Sequence, residues 1–167
     1  TNAEIRFEAR MKGKKMQQRI KYHGFAPELM KHVYALNKAV DECGLEKSLL
    51  HLVKLRASQI NGCSFCVDMH SKEAMRDGET QQRVFLVSAW KESPLFTDRE
   101  RAAFAYTDAV TRISEQGVPD ALWQATRQHF SEEELVKLTV AIGMINVWNR
   151  VSVSFHAIHP VDHAKAA

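Results

Sequence analysis

Asn61-Gly62-Cys63-Ser64-Phe65-Cys66-Val67-Asp68-Met69-His70 stands near the middle of the chain. Asn-Gly is a strong turn signal, and the residues after it read as the opening of a helix. Cys63, Cys66 and His70 are then spaced by three, four and seven residues, which puts both sulfurs and the imidazole on one helical face. The run before the turn, about Glu46 to Ile60, repeats apolar residues at Leu49, Leu52, Val53 and Ile60. Two helices folded back about Asn61-Gly62 are therefore expected to frame the fold.

The pattern extends in both directions. Pro27 opens a helix to about Glu42 with Leu29, Val33, Leu36 and Val40 on one side and Gly44 as its stop. The helix beginning near Cys63 ends at about Arg76, before Asp77-Gly78, and another runs from about Thr80 to Lys91, short of Pro94. Thr97 with Glu100 and Ser131 with Glu134 have the spacing of capping boxes. They start helices reaching about Glu115 and His156, with a short one after Pro119 between them. Val140 to Phe155 is apolar nearly all round, so it belongs in a core or a subunit interface. Asn146, Asn149 and Arg150 within it should join neighbouring helices by hydrogen bonds. No stretch shows sustained period-two alternation, so the expectation is an all-α, single-domain bundle of about seven helices.

With 167 residues, 45% apolar and 26% charged, the chain has the make-up of one globular domain. No apolar run approaches the ~20 residues of a membrane span. Thr1 to Lys21 has no apolar signal-peptide core, so a reducing, cytoplasmic setting is expected. Residues 1–22 read as a basic arm and 23–167 as the helical domain. In the arm Arg6, Arg10, Lys12, Lys14, Lys15, Arg19 and Lys21 stand against only Glu4 and Glu8. Phe7 is the one aromatic among residues 1–21, too little for base stacking, so no nucleic-acid partner is expected. Cys43, twenty residues before the pair, reads as a small buried apolar residue without a role.

Cysteines at a helix N-terminus feel unpaired backbone N–H groups and the positive end of the macrodipole, which favour the thiolate. His70, four residues after Cys66, can take the thiol proton. Thiolate attack on a peroxide gives a sulfenic acid, which a neighbouring thiol condenses to a disulfide, and a dithiol donor resets the pair by exchange. Back-folding about Asn61-Gly62 would bring His51 within a turn of His70, for a relay His51–His70–Cys66. The rival reading is a zinc site, in which Cys63, Cys66 and His70 would need a fourth ligand from His156, His159 or His163. No resident cofactor or metal is otherwise called for: the redox-active disulfide itself would carry the electrons.

Leu45 to Gly78, including Ser58-Gln59-Ile60-Asn61-Gly62 before the C-x-x-C-x-x-x-H pattern, resembles the alkylhydroperoxidase D-like members of the carboxymuconolactone decarboxylase family. The likeness continues through Glu79 to Trp90, Thr97 to Thr111 and Ile145-Asn146-Val147-Trp148-Asn149-Arg150. It implies an all-helical fold assembled as a homo-trimer or homo-hexamer and a thiol-dependent peroxidase. Cys66 would be the peroxidatic cysteine, Cys63 the resolving one and His70 the relay base. The expected partners are a hydrogen or alkyl peroxide and a dithiol reductant, for which a lipoyl protein, a thioredoxin-like protein and small thiols all fit. The chain departs from the family at two places: His51 stands where a glutamate is usual, and Phe65 where the peroxidases carry histidine. The decarboxylase branch lacks the cysteine pair, which sets lactone decarboxylation aside. A general thiol–disulfide oxidoreductase or redox sensor is the alternative.

Overall fold

The computed structural model describes residues 16–161. Most of the basic arm, and His163, lie outside the described residues. Within them are eight α-helices, two short 3-10 turns and no strand. The helices are α1 (Pro27–Asp41), α2 (Lys47–Ile60), α3 (Ser64–Arg76), α4 (Gln81–Leu86), α5 (Asp98–Thr111), α6 (Ile113–Gln116), α7 (Asp120–Arg127) and α8 (Glu132–Phe155). No helix among the described residues is long and apolar enough to cross a membrane.

The α2–α3 hairpin forms as the sequence predicts, with Gly62 at φ 64°, a left-handed turn conformation that glycine adopts without strain. Thr97 and Ser131 each complete a capping box with Glu100 and Glu134. Two expected helices are broken. The segment after Thr80 is α-helical only to Leu86 and then tightens into a 3-10 turn, Val87–Ala89, as helix ends often do. The turn seats Val87 and Trp90 in the core, with Trp90 at 5.8 Å from Phe104. The helix from Thr97 breaks at Arg112, where ψ swings to 38°, before the single turn of α6. No proline or glycine marks that break in the sequence.

α2 is the hub, packed against α3, α5 and α8. Leu49, Leu50, Val53, Leu135, Leu138 and Ile142 share one buried cluster, and Leu52, Leu55, Val84 and Phe104 share a second. Each such side chain contributes about 1.5–3 kcal/mol on burial. α1 follows its expected stripe only in part: Val40 is buried, but Leu29 and Leu36 stay exposed. α8 likewise buries Ile142 and Ile145 while leaving Val136, Val140, Val147 and Val153 open.

Polar side chains fasten the hairpin to α8. Asn61 Nδ2 donates to Ala57 O at 3.0 Å, Asn146 Oδ1 at 3.0 Å and Asn149 Oδ1 at 2.9 Å. Asn149 Nδ2 donates to Ser58 Oγ at 3.1 Å, and Arg150 Nη1 donates to Asn146 Oδ1 at 2.8 Å. Asn146 and Asn149 thus serve as interhelix ties, whereas Arg150 bonds Asn146 within α8 itself. Arg19 holds the other end of α8, donating from its backbone to Phe155 O at 2.9 Å and from its side chain to Ser154 O at 3.0 Å. That anchor seats the Tyr22–Gly24 turn, whose Tyr22 ring lies 5.9 Å from Phe155.

Asn149→Ala removes one of the three acceptors of Asn61 and the donor to Ser58 inside a buried interface. The expected loss is about 2 kcal/mol of unfolding free energy, measured by urea denaturation. An unchanged midpoint would show that the ties carry no stability.

Candidate functional site

Two polar stripes face each other across the hairpin. On α2 and its cap, Lys47, His51, Lys54, Ser58 and Asn61 recur at steps of four and three. On α3 and its caps, Cys63, Cys66, His70, Glu73 and Asp77 recur at steps of three and four. Such steps hold a stripe on one face of a helix. Because the helices run antiparallel, the start of one stripe meets the end of the other. Lys47 Nζ accordingly sits 2.7 Å from Asp77 Oδ2, and His51 Nε2 sits 2.8 Å from the same oxygen.

A cavity of about 460 Å³ opens along these stripes. α2 and α3 give it Lys47, His51, Lys54, Cys66, His70 and Glu73; Phe65 and Met69 add apolar surface. The opposite wall is Tyr22, Tyr34 from α1, and Met144, Ile145 and Trp148 from α8. Trp148 is held by its Nε1–H donating to Asn37 Oδ1 at 2.9 Å. A volume of this size suits a small organic molecule.

Cys63 and Cys66 form a disulfide, with Cα atoms 5.3 Å apart. Cys63 is the N-cap of α3, and its Sγ accepts the Cys66 backbone N–H at 3.3 Å. Both residues are 1% exposed, but only Cys66 borders the cavity. Cys43 is a free, half-buried cysteine away from it.

His70 Nδ1 lies 2.9 Å from Glu73 Oε2. The bond holds the Glu73 carboxyl below its usual range, so the oxygen is an ionised acceptor and the ring proton sits on Nδ1. Burial pushes the His70 imidazolium below its ordinary value, with the charges of Lys54 and His51 adding to the effect and Glu73 opposing it. The ring is therefore neutral near pH 7, and its Nε2 is a lone-pair acceptor. That nitrogen is buried without a partner, as is Nδ1 of His51. An unpaired buried acceptor costs about 1–3 kcal/mol, and two on one cavity are a pointer to function. Asp77 is also held well below the usual carboxylate range, chiefly by Lys47 and then by His51. Lys54, itself almost buried, is paired with Asp41.

The structure thus brings Cys66, His70 and His51 to one cavity, with Cys63 bonded behind Cys66. His51 bonds Asp77, and no direct bond joins it to His70. Among the described residues, which do not include His163, no three His, Cys, Asp or Glu side chains are placed to hold a metal. Glu73, Lys54 and Asp77 join the site beyond the residues expected from the sequence. Glu73 was legible there, standing three residues after His70, whereas Asp77 read only as part of a turn.

The profile of the carboxymuconolactone decarboxylase family matches residues 27–109. The uncharacterized protein YdfG of Bacillus subtilis is 39% identical over 139 residues, spanning 83% of this chain and 95% of YdfG. Among solved structures, ATU0492 of Agrobacterium tumefaciens aligns with a TM-score of 0.86 at 53% identity, covering 87% of this chain and 100% of that one. It is described as a protein of unknown function with a provisional place as the antioxidant defence protein AhpD. The debrominase Bmp8 without ligand aligns at a TM-score of 0.75 over 82% of this chain and 74% of its own, but at 21% identity it shares the fold alone. The helical order, the dithiol hairpin and these likenesses agree: the chain belongs to the carboxymuconolactone decarboxylase family, as one of its alkylhydroperoxidase D-like members.

Proposed function

We propose that the protein is a thiol-dependent peroxidase that reduces organic hydroperoxides through Cys63 and Cys66. The observation that carries this reading is the asymmetry of the pair: Cys66 borders the cavity beside neutral His70, while Cys63 does not border it. In the reduced protein His70 Nε2 takes the Cys66 thiol proton. The thiolate attacks the distal oxygen of ROOH, the O–O bond breaks, and the proton from His70 leaves with the product as ROH. Cys66 is then a sulfenic acid, and the Cys63 thiol displaces its hydroxyl as water to form the disulfide. His51, on the same cavity, completes a proton relay His51–His70–Cys66.

A dithiol reductant enters by the same cavity and attacks Cys66. Cys63 leaves as a thiolate, stabilised by the Cys66 N–H that its sulfur already accepts. The second reductant thiol then frees Cys66, so two electrons and two protons pass to the pair. Both sulfurs are buried, which favours a slender lipoyl arm over the flat face of a thioredoxin-like protein. The apolar residues left open on α1 and α8 support a homo-oligomer, trimer or hexamer, and a reductant of this kind supports a cytoplasmic setting. A cavity of about 460 Å³ is far larger than hydrogen peroxide needs, which favours an organic hydroperoxide.

Hydroperoxide consumption should fall to the uncatalysed background in Cys66→Ser. Cys63→Ser should instead form one sulfenic acid per chain and then stop, as read by dimedone labelling and mass spectrometry. Turnover that survives in Cys66→Ser would sink this reading. Disulfide exchange without peroxide consumption in the wild-type protein would leave the general oxidoreductase in its place.

His70 also predicts a pH dependence. Its value is depressed in the folded state, so the stability it contributes is complete above the ordinary histidine value of about 6.5. That stability is lost as pH falls through the lowered value. Urea midpoints of the oxidised protein should decline on acidification below about pH 6.5, and His70→Gln should flatten that decline. Identical acid limbs in the two proteins would contradict a neutral, buried His70.

A further inference from the structure

The peroxidase reading assigns His51 to a relay but says nothing of what holds it ready. His51 is 7% exposed, and its Nε2 lies 2.8 Å from Asp77 Oδ2. Asp77 belongs to another segment, the cap just beyond α3, twenty-six residues later in the chain. A carboxylate at that distance can only accept, so in the neutral ring the proton is placed on Nε2 and Nδ1 is left as a bare acceptor. The Asp77 side chain keeps 19% of its exposure, while the imidazole it holds is almost wholly covered. Lys47 approaches the same Asp77 oxygen from the first turn of α2, which keeps the carboxylate ionised and turned toward the hairpin. The arrangement repeats, on the facing helix, what Glu73 does for His70: one ring nitrogen bonded to a carboxylate, the other buried without a partner.

On this basis, and resting on the peroxidase reading for its kinetic consequence, we propose that Asp77 is a positioning residue for His51. It sets the tautomer and ring orientation of His51, so that Nδ1 serves the cavity as a second proton acceptor in addition to Nε2 of His70. Asp77 touches neither substrate nor sulfur, and it acts through the imidazole alone. The local charges are balanced around it. Asp41 opposes Lys54 from α1, Glu73 and Asp77 oppose Arg76 and Lys47 along the hairpin, and His70 faces from α3. His51 therefore relies on its bonded carboxylate, and no excess of one charge stands in for it.

The test has a spectroscopic arm and a kinetic arm. In protein with 15N-labelled histidine at pH above 7, His51 should show a protonated-type Nε2 signal and an unprotonated-type Nδ1 signal. Asp77→Asn should collapse these toward a tautomer mixture, and Asp77→Glu should largely restore them. In steady-state reduction of an organic hydroperoxide such as cumene hydroperoxide, kcat should fall about tenfold or more in Asp77→Asn. In the His51→Gln background the same substitution should change kcat less than about twofold, because the group through which Asp77 acts is gone. A purely structural Asp77 would slow both backgrounds equally, and that result overturns the proposal. So does a His51 that keeps its Nε2-protonated signature in Asp77→Asn. Should the wild-type protein turn over no hydroperoxide, the peroxidase reading fails by itself, and the NMR arm still decides whether Asp77 sets the ring.

Discussion

The amide of Asn61 is the joint on which the rest depends. Its two N–H groups serve the last turn of α2 and two asparagines of α8. It stands one glycine before the disulfide, so the position of Cys63 and Cys66 relative to α8 follows from it. Were that node to slip, the α8 side chains that close the cavity, Met144, Ile145 and Trp148, would no longer face Cys66. Apolar packing alone would let the central helix, α2, rotate slightly; Arg56, bonded to Asp108 of α5 at 2.6 and 2.9 Å, pins a second face. Directional hydrogen bonds among buried amides remove that freedom.

A fixed hairpin turns a sequence repeat into a reaction vessel. Steps of three and four on each helix place five polar side chains opposite five others, and the antiparallel register decides which meet. Lys47 and His51 meet Asp77, while Lys54 turns aside to Asp41 on α1. Burial keeps His70 neutral, and two ionised carboxylates each orient one imidazole. The wall opposite is aromatic and aliphatic, so an organic molecule has a dry face to lie on. Desolvation and hydrogen bonding thus act together: one favours the uncharged ring, the other chooses which of its nitrogens is free.

Much of this was legible in the residues because it is local. The Asn61-Gly62 turn, the capping boxes at Thr97 and Ser131 and the same-face placing of Cys63, Cys66 and His70 all depend on neighbours within a turn or two. The breaks after Leu86 and at Arg112 were not, since no local signal marks them and the first serves the seating of Val87 and Trp90. The placing of His51 on the same cavity as His70 followed from hairpin folding alone, but its true partner did not. Asp77 lies where a turn is expected, and an aspartate before glycine in a turn has a sufficient local reason to be there. The opposite wall was the least legible. Tyr22 reaches the cavity only because Arg19 pins the chain to the end of α8, a contact between residues 135 apart.

In the proposed reaction Cys63 and Cys66 are one redox couple, with Cys66 the sulfur that meets the oxidant. Titration of the fully reduced protein with an organic hydroperoxide, without any reductant, tests it most directly. One equivalent of hydroperoxide should consume two thiols per chain, leave Cys43 free, and yield a peptide in which Cys63 and Cys66 are joined. Two thiols untouched after an equivalent has been added, or Cys66 overoxidised while Cys63 remains a free thiol, would contradict it.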